Sequence, residues 1–206
     1  MKHDLPATFR EASIQSSTLG AGITEDSYGK IEVFLDLLMR TAGKTNLVGP
    51  AEINRLWTRH VLESVAFIPF LHSRKVIDVG TGAGFPGMIL AICGFDITMV
   101  ESRRKRCAFL ETAARICGVS CRIINSRIED LDPFPEHTTF TSRAVKDPEK
   151  MIELIKPAAT GEFSLVTRIS TKIETCSNAA ISEILPVPPL DRSGFILQYR
   201  HPCKLN

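Results

Sequence analysis

Apolar positions change their period along the chain, and each change marks a different kind of element. From Glu25 onward Tyr28, Ile31, Leu35 and Leu38 recur at three- and four-residue spacing, which predicts an amphipathic helix stopped at Gly43. A second helical run covers Ala51 to about Leu71, with Ile53, Leu56, Trp57, Val61, Leu62 and Val65 apolar and Arg55, Arg59 and Glu63 polar. The residues ahead of these runs are rich in Ser, Thr and Gly around Ser16 to Gly22. They predict a mobile lead-in over residues 1–23, followed by a helical N-terminal extension over 24–72.

At Lys75 the period shortens. Lys75 to Val79 is a β-branched run that predicts a strand and ends in the glycines Gly80, Gly82, Gly84 and Gly87. Beyond it the pattern predicts a buried helix from Pro86 to Cys93, a strand from Asp96 to Val100 and a helix from Arg103 to Cys117 closed by Gly118. Further strands are predicted at Cys121 to Asn125, Thr138 to Ser142 and Glu162 to Thr167, with a helix from Pro148 to Ile155 between the last two. This alternation predicts an α/β domain over 73–206, a mostly parallel sheet with helices on both faces. The tail adds apolar runs at Ile184 to Leu190 and Phe195 to Tyr199, separated by a hairpin turn at Asp191 to Gly194.

Composition narrows the choice of partners. With 44% apolar and 23% charged residues in 206, the chain is neither disordered nor fibrous. A formal charge of +2 gives no general affinity for polyanions, so any such affinity must sit in a local patch. The six cysteines form no C-x-x-C pair and the five histidines no H-x-x-x-H pair, which predicts reduced, packed thiols and no metal. Met1 to Phe9 carries Asp4 and Pro6 where a signal peptide needs an apolar region, and Gly94 and Asp96 interrupt the apolar run from Met88 to Val100. A cytoplasmic monomer with no membrane partner is expected.

The glycine loop carries the first chemistry. In Asp78-Val-Gly80-Thr-Gly82-Ala-Gly84-Phe85-Pro86-Gly87 a strand passes to a helix through glycines that let a ligand approach the backbone. The frame Gly82-x-Gly84-x-x-Gly87 also fits a dinucleotide turn, so the glycines alone leave NAD open. Asp78 at the strand end would repel a pyrophosphate but suit a ligand bearing a sulfonium and an ammonium. Glu101 ends the second strand, where a carboxylate can accept from both ribose hydroxyls of an adenosine. The combination favours S-adenosylmethionine; the plainer reading is a structural turn in which Asp78 caps the next helix.

Two basic features follow. Arg103, Arg104, Lys105 and Arg106 crowd cations at a helix start, where the macrodipole disfavours them. Phosphate binding explains that arrangement, and a solvated surface turn is the other reading. Arg143 follows the strand Thr138 to Ser142, whose carboxyl end borders the expected ligand crevice; it is either a site residue or an ion-pair residue. His60 and Trp57 read as core.

Several ordered motifs resemble one family, the bacterial small-subunit ribosomal RNA methyltransferase G, also called glucose-inhibited division protein B. They are Asn46-Leu47, Arg59-His60-x-x-Glu63-Ser64, the loop Asp78 to Gly87 with its Gly-Phe-Pro-Gly ending, Ser102-x-x-Lys105-Arg106-x-x-Phe109-Leu110, and Ser142-Arg143-Ala144. The resemblance spans Lys44 to Thr167 and implies a Rossmann-like methyltransferase fold. It also implies S-adenosylmethionine as cofactor and N7 of a guanine in small-subunit ribosomal RNA, or in a subunit precursor, as acceptor. Gly80 and Phe85 would then contact the cofactor, Ile128 and Glu129 would border its adenine, and Arg143 would lie at the active site. Glu63 stands where the family usually has Asp, and Arg168-Ile169 where many members have Lys-Gly. Guanine N7 offers an unprotonated lone pair, so methyl transfer to it needs positioning and desolvation but no general base. Another adenosine-cofactor enzyme and a non-catalytic RNA-binding protein remain the alternatives on the residues alone.

Overall fold

Five strands run parallel, as the alternation requires: β1 (Lys75–Val79), β2 (Asp96–Val100), β3 (Arg122–Ile124), β4 (Thr138–Ser142) and β5 (Phe163–Ile169). The computed structural model describes residues 4–45, 47–135, 137–143, 147–170, 179–184 and 194–201, with the backbone alone at 43–45 and 179–184. Two further strands, β6 (Ala179–Ile184) and β7 (Gly194–His201), complete a seven-stranded sheet in the order β3-β2-β1-β4-β5-β7-β6. β7 is antiparallel to both of its neighbours.

The chain leaves β1 toward β2 and β3 on one side and returns to β4 and β5 on the other. The order therefore reverses between β1 and β4, and ligands of such sheets bind outside the strand ends at that reversal. Register aligns those ends, with Val79 opposite Val100 and Asp78 opposite Thr141.

Helices cover both faces. On one face α1 (Phe9–Ser17), α2 (Glu25–Thr45), α3 (Leu62–Val65), α4 (Gly87–Ile92) and α5 (Arg104–Cys117) close over a core containing Phe34, Leu35, Trp57, Met88, Met99 and Leu110. On the other, α6 (Pro148–Ile155) buries Ile152 and Ile155 against Ile77, Phe140 and Leu165. The helical extension and the first layer of the sheet thus share one continuous core. α5 ends as expected at Gly118, whose φ of 61° is the left-handed cap that glycine adopts without strain.

Three expectations are corrected. The lead-in predicted as mobile holds α1. Thr8 caps it by accepting from the Glu11 N–H, Ala12 and Ser16 are buried, and Tyr28 donates its hydroxyl proton to the Pro6 carbonyl. Small polar residues hid a narrow buried stripe. The run from Ala51 to Leu71 is not one α-helix. It winds tightly over Pro50–Arg55, widens to a π-helix over Leu56–Val61, passes through α3 and tightens again at Ile68–Phe70. The widened turn starts where the Asp4 carboxylate accepts from the Trp57 and Thr58 N–H groups at 2.7 and 2.9 Å, a long-range cap that no local pattern encodes. α2, for its part, continues through Gly43 to Thr45. In the tail, a strand ends at Ile184 where the run Ile184 to Leu190 was predicted to begin. The rest of that run, the turn residues 191–193, Cys176 and Cys203 lie outside the described residues.

Candidate cofactor and active site

The glycine loop is held by its own acids. Asp78 is fully buried; its Oδ2 accepts from the Gly87 N–H at 2.8 Å and its Oδ1 from the Thr141 hydroxyl at 3.1 Å. Burial raises its pKa to about 6, against the pull of Thr81, Gly87, Thr141 and the Arg143 charge. The carboxylate therefore ties the start of α4 to β1 and β4, the capping alternative, and is not spread toward a ligand cation. The glycines divide in the same way. A Cβ on Gly84 would stand 3.0 Å from Leu110 and Met88, and one on Gly87 would stand 2.7 Å from Asp78 and Met99, so these two permit close packing. At Gly80 (φ +69°) a Cβ would meet nothing within 4 Å, which leaves open space at the strand end.

Glu101 borders that space from the end of β2 and is 5% exposed. Its Oε2 accepts from the Gly82 N–H at 3.1 Å and its Oε1 from the Arg103 N–H at 2.9 Å. A carboxylate has roughly four lone-pair positions, so acceptor capacity remains for a ligand. Asn125, which sequence reasoning did not single out, donates to the carbonyls of Glu101 and Ser102, and the Cys107 thiol donates to the Glu101 carbonyl. Together they fix the strand end.

Arg143 leaves β4 at the reversal point and turns toward the helical extension. Its Nη1 donates to the Arg59 carbonyl at 3.4 Å and stands 3.6 Å from Glu63 Oε2, and its Nη2 lies 2.6 Å from His60 Nδ1. Its Cζ stacks 5.1 Å above the Phe85 ring. Burial lowers its pKa to about 10, still well charged near neutrality, with Glu63 and Asp78 opposing the shift. Glu63 also pairs with Arg168 Nε at 3.0 Å, both side chains buried. Glu52 gathers Arg55, Arg59 and His60 within 2.9 to 3.1 Å. The histidine read as core is buried at 6% exposure, yet it sits in this polar network.

Other site residues are placed differently from expectation. The Phe85 ring is 3% exposed, packs on Phe34 and His60, and forms the bed of Arg143. Ile128 turns its side chain into the core beside Val79, Val100 and Phe140, while Glu129 is exposed next to Arg127. Of the basic cluster, Arg103, Arg104 and Lys105 are exposed. Arg106 is drawn back to Glu101 at 3.5 Å and lies over Gly82, because that buried carboxylate attracts the nearest cation. Sequence reasoning assigned no role to Glu52, Glu63 or Arg168. For Glu63 the signal was the Arg59-His60-x-x-Glu63 spacing, which gathers three polar groups within about one turn of a largely apolar segment. Among the described residues no helix is long and apolar enough to cross a membrane.

Comparison with known proteins agrees with this geometry. Residues 27–183 match the family model described as rRNA small subunit methyltransferase G. The protein of that name from Paramagnetospirillum magneticum is 33% identical over 188 residues, covering 87% of this chain and 91% of its own. Its counterpart from Gluconobacter oxydans is 38% identical over 137 residues, covering 66% and 70%. Among solved structures, the tRNA (m1A58) methyltransferase TrmI from Aquifex aeolicus shares the fold with a TM-score of 0.50 at 14% identity, covering 67% of each chain. With the reversal-point loop, the acid at the end of β2 and the ordered motifs falling within one matched span, the chain belongs to the rRNA small subunit methyltransferase G family.

Proposed function

We propose that the protein, acting as a cytoplasmic monomer, transfers a methyl group from S-adenosylmethionine to N7 of a guanine in small-subunit ribosomal RNA. The observation that carries this reading is the pairing of open space at Gly80 with the buried acceptor Glu101 on the neighbouring strand end. That space and that carboxylate suit a nucleoside ribose, and S-adenosylmethionine, when bound, supplies an electrophilic methyl on a sulfonium. Neither NAD binding nor a non-catalytic role is favoured by any contact described above.

The residues of the chain then divide the work. Glu101 accepts from the ribose hydroxyls, and Gly80 and Gly82 admit the ligand to the backbone. Arg143 presents a guanidinium whose planar fork of donors is only partly used by Arg59 and His60. The remaining N–H groups serve to hold a carboxylate or the O6 edge of a guanine, which orients N7. No residue is needed to remove a proton from N7; the helical extension excludes water and fixes Arg143. Arg103, Arg104 and Lys105 lie exposed beside the same loop and supply phosphate contacts to the RNA backbone.

The test is methylation of ribosomal RNA from cells lacking the protein, followed by mapping of the modified base. N7-methylguanine at a single small-subunit position is the expected product; methylation at another atom, or none with S-adenosylmethionine present, overturns the reading.

A further inference from the structure

We infer that His60 is a positioning residue for Arg143: its Nδ1 receives the guanidinium proton while Glu52 holds its Nε2–H, so the imidazole aims the donors that Arg143 keeps for its ligand. This rests on the active-site placement of Arg143 proposed above.

The geometry dictates the tautomer. An arginine has only donors, so the 2.6 Å contact from Nη2 requires Nδ1 to be a bare acceptor. The single proton of a neutral imidazole then sits on Nε2, and there Glu52 Oε2 stands 3.1 Å away, an acceptor in the right place. Stacking closes the arrangement: the His60 ring lies 5.0 Å from the Phe85 ring, over which Arg143 also stacks. Phe85 thus packs against both His60 and Arg143. The groups facing His60 are Glu52 and Arg55 from the turn before it, Arg59 from its own turn and Arg143 from the end of β4. Burial opposes an imidazolium most, and those three cations add to its effect.

The choice of side chain has a chemical reason. A carboxylate at this position would hold Arg143 more strongly but would cancel its charge. An imidazole supplies an acceptor with no charge, so the guanidinium is fixed in direction while its positive field stays available to an anionic or carbonyl-bearing ligand. Glu63, at 3.6 Å from Nη1, already provides a paired counter-charge, with Asp78 acting from farther off, and Glu63 shares its charge with Arg168.

Two measurements decide the matter. Long-range nitrogen–proton NMR on the wild-type protein is expected to show His60 protonated at Nε2 and bare at Nδ1 across about pH 5 to 8. A proton on Nδ1, or an imidazolium in that range, overturns the inference. For turnover, His60→Leu removes the acceptor, whereas His60→Asn keeps a neutral oxygen near the place of Nδ1. The Leu variant is expected to lose at least tenfold in kcat with cofactor affinity and the KM for RNA within twofold of wild type, and the Asn variant to stay within about threefold. Equal loss in both variants at matched folded fraction, or full turnover in the Leu variant, overturns it. Should the Leu variant fail to fold, the NMR result and the Asn variant still decide. Normal turnover by Arg143→Lys would instead strike the active-site reading and leave the observed tautomer standing.

Discussion

Arg143 and His60, 83 positions apart in sequence, meet at 2.6 Å across the seam between the end of β4 and the helical extension. The contact joins the end of β4 at the reversal point to a segment that a fold-level view would treat as an attachment. Four partners hold the guanidinium, the Arg59 carbonyl, His60, Glu63 and Phe85, and all but Phe85 come from that segment.

Arg143→Lys retains the charge but not the fork. We expect turnover to fall more than tenfold, about 1.4 kcal/mol or more of transition-state stabilisation. The loss of directed bonds to Arg59 and His60 should also lower the melting temperature modestly. Single-turnover methylation at matched folded fraction checks this; normal turnover would make Arg143 a purely structural ion-pair residue.

Glu101→Ala removes the acceptor beside the open turn at Gly80. Charge-assisted hydrogen bonds are worth roughly 1.5 to 3 kcal/mol each, so losing a ribose contact should weaken cofactor binding at least tenfold. Calorimetric titration with S-adenosylmethionine measures it, and unchanged affinity would remove Glu101 from the site.

Replacing the exposed Arg103 and Arg104 together with Gln should flatten the dependence of log affinity for RNA on log salt by about 1.4 to 1.8 in slope, since each phosphate contact contributes roughly 0.7 to 0.9. Arg106→Gln should change the slope less, because Arg106 is engaged by Glu101. Equal effects of all three residues would contradict the division seen in the structure.

Glu63→Ala leaves Arg143 and Arg168 buried without their shared anion. Breaking a buried pair from one side costs about 3 to 5 kcal/mol, so the urea midpoint should drop sharply. An unchanged midpoint would mean that water replaces the carboxylate.

Two buried groups act oppositely on stability as pH changes. Asp78 has a folded pKa of about 6 against an ordinary 3.8, so the native state holds a proton that the unfolded chain has lost. Its contribution is complete below about pH 4 and fades as pH rises to about 6. His60 has a folded pKa of about 2 against an ordinary 6.5, so the unfolded chain gains a proton that the fold refuses, and stability falls as pH drops below about 6.5. Relative to wild type, Asp78→Asn should therefore make stability rise more steeply between about pH 4.5 and 6. His60→Asn should make it rise less steeply, each slope changing by up to about 1.4 kcal/mol per pH unit. Urea melts at the two pH values test the signs.

Much of the fold was legible because strands and helices of this class announce themselves by period. β1, β2 and β4 begin and end where the β-branched runs do, and Gly118 closes α5 as its position after the helix implies. Gly80 and Glu101 were readable as a pair because strand ends at a reversal point are where such residues can meet. What was not legible depends on contacts between distant residues. Asp4 caps the winding at Trp57, His60 is engaged by Arg143 from the end of β4 as well as by Glu52, and Arg106 turns inward to the buried Glu101. The resemblance implied that Ile128 borders the adenine; its side chain belongs to the core on the sheet's second face.

The long reach of these contacts has a consequence for synthesis. The carboxylate of Asp4 waits for N–H groups 53 and 54 positions downstream, and the Arg143 guanidinium closes on partners 83 and 84 positions upstream. The Asp4 contacts lie within the first 58 residues and need no strand of the sheet, whereas the contacts of Arg143 wait until β4 has been made. Contacts of such high sequence separation form late. A chain that stops before Arg143 lacks the side chain that ties the end of β4 to Arg59, His60 and Glu63, so the extension and the second half of the sheet gain that link only once β4 is in place.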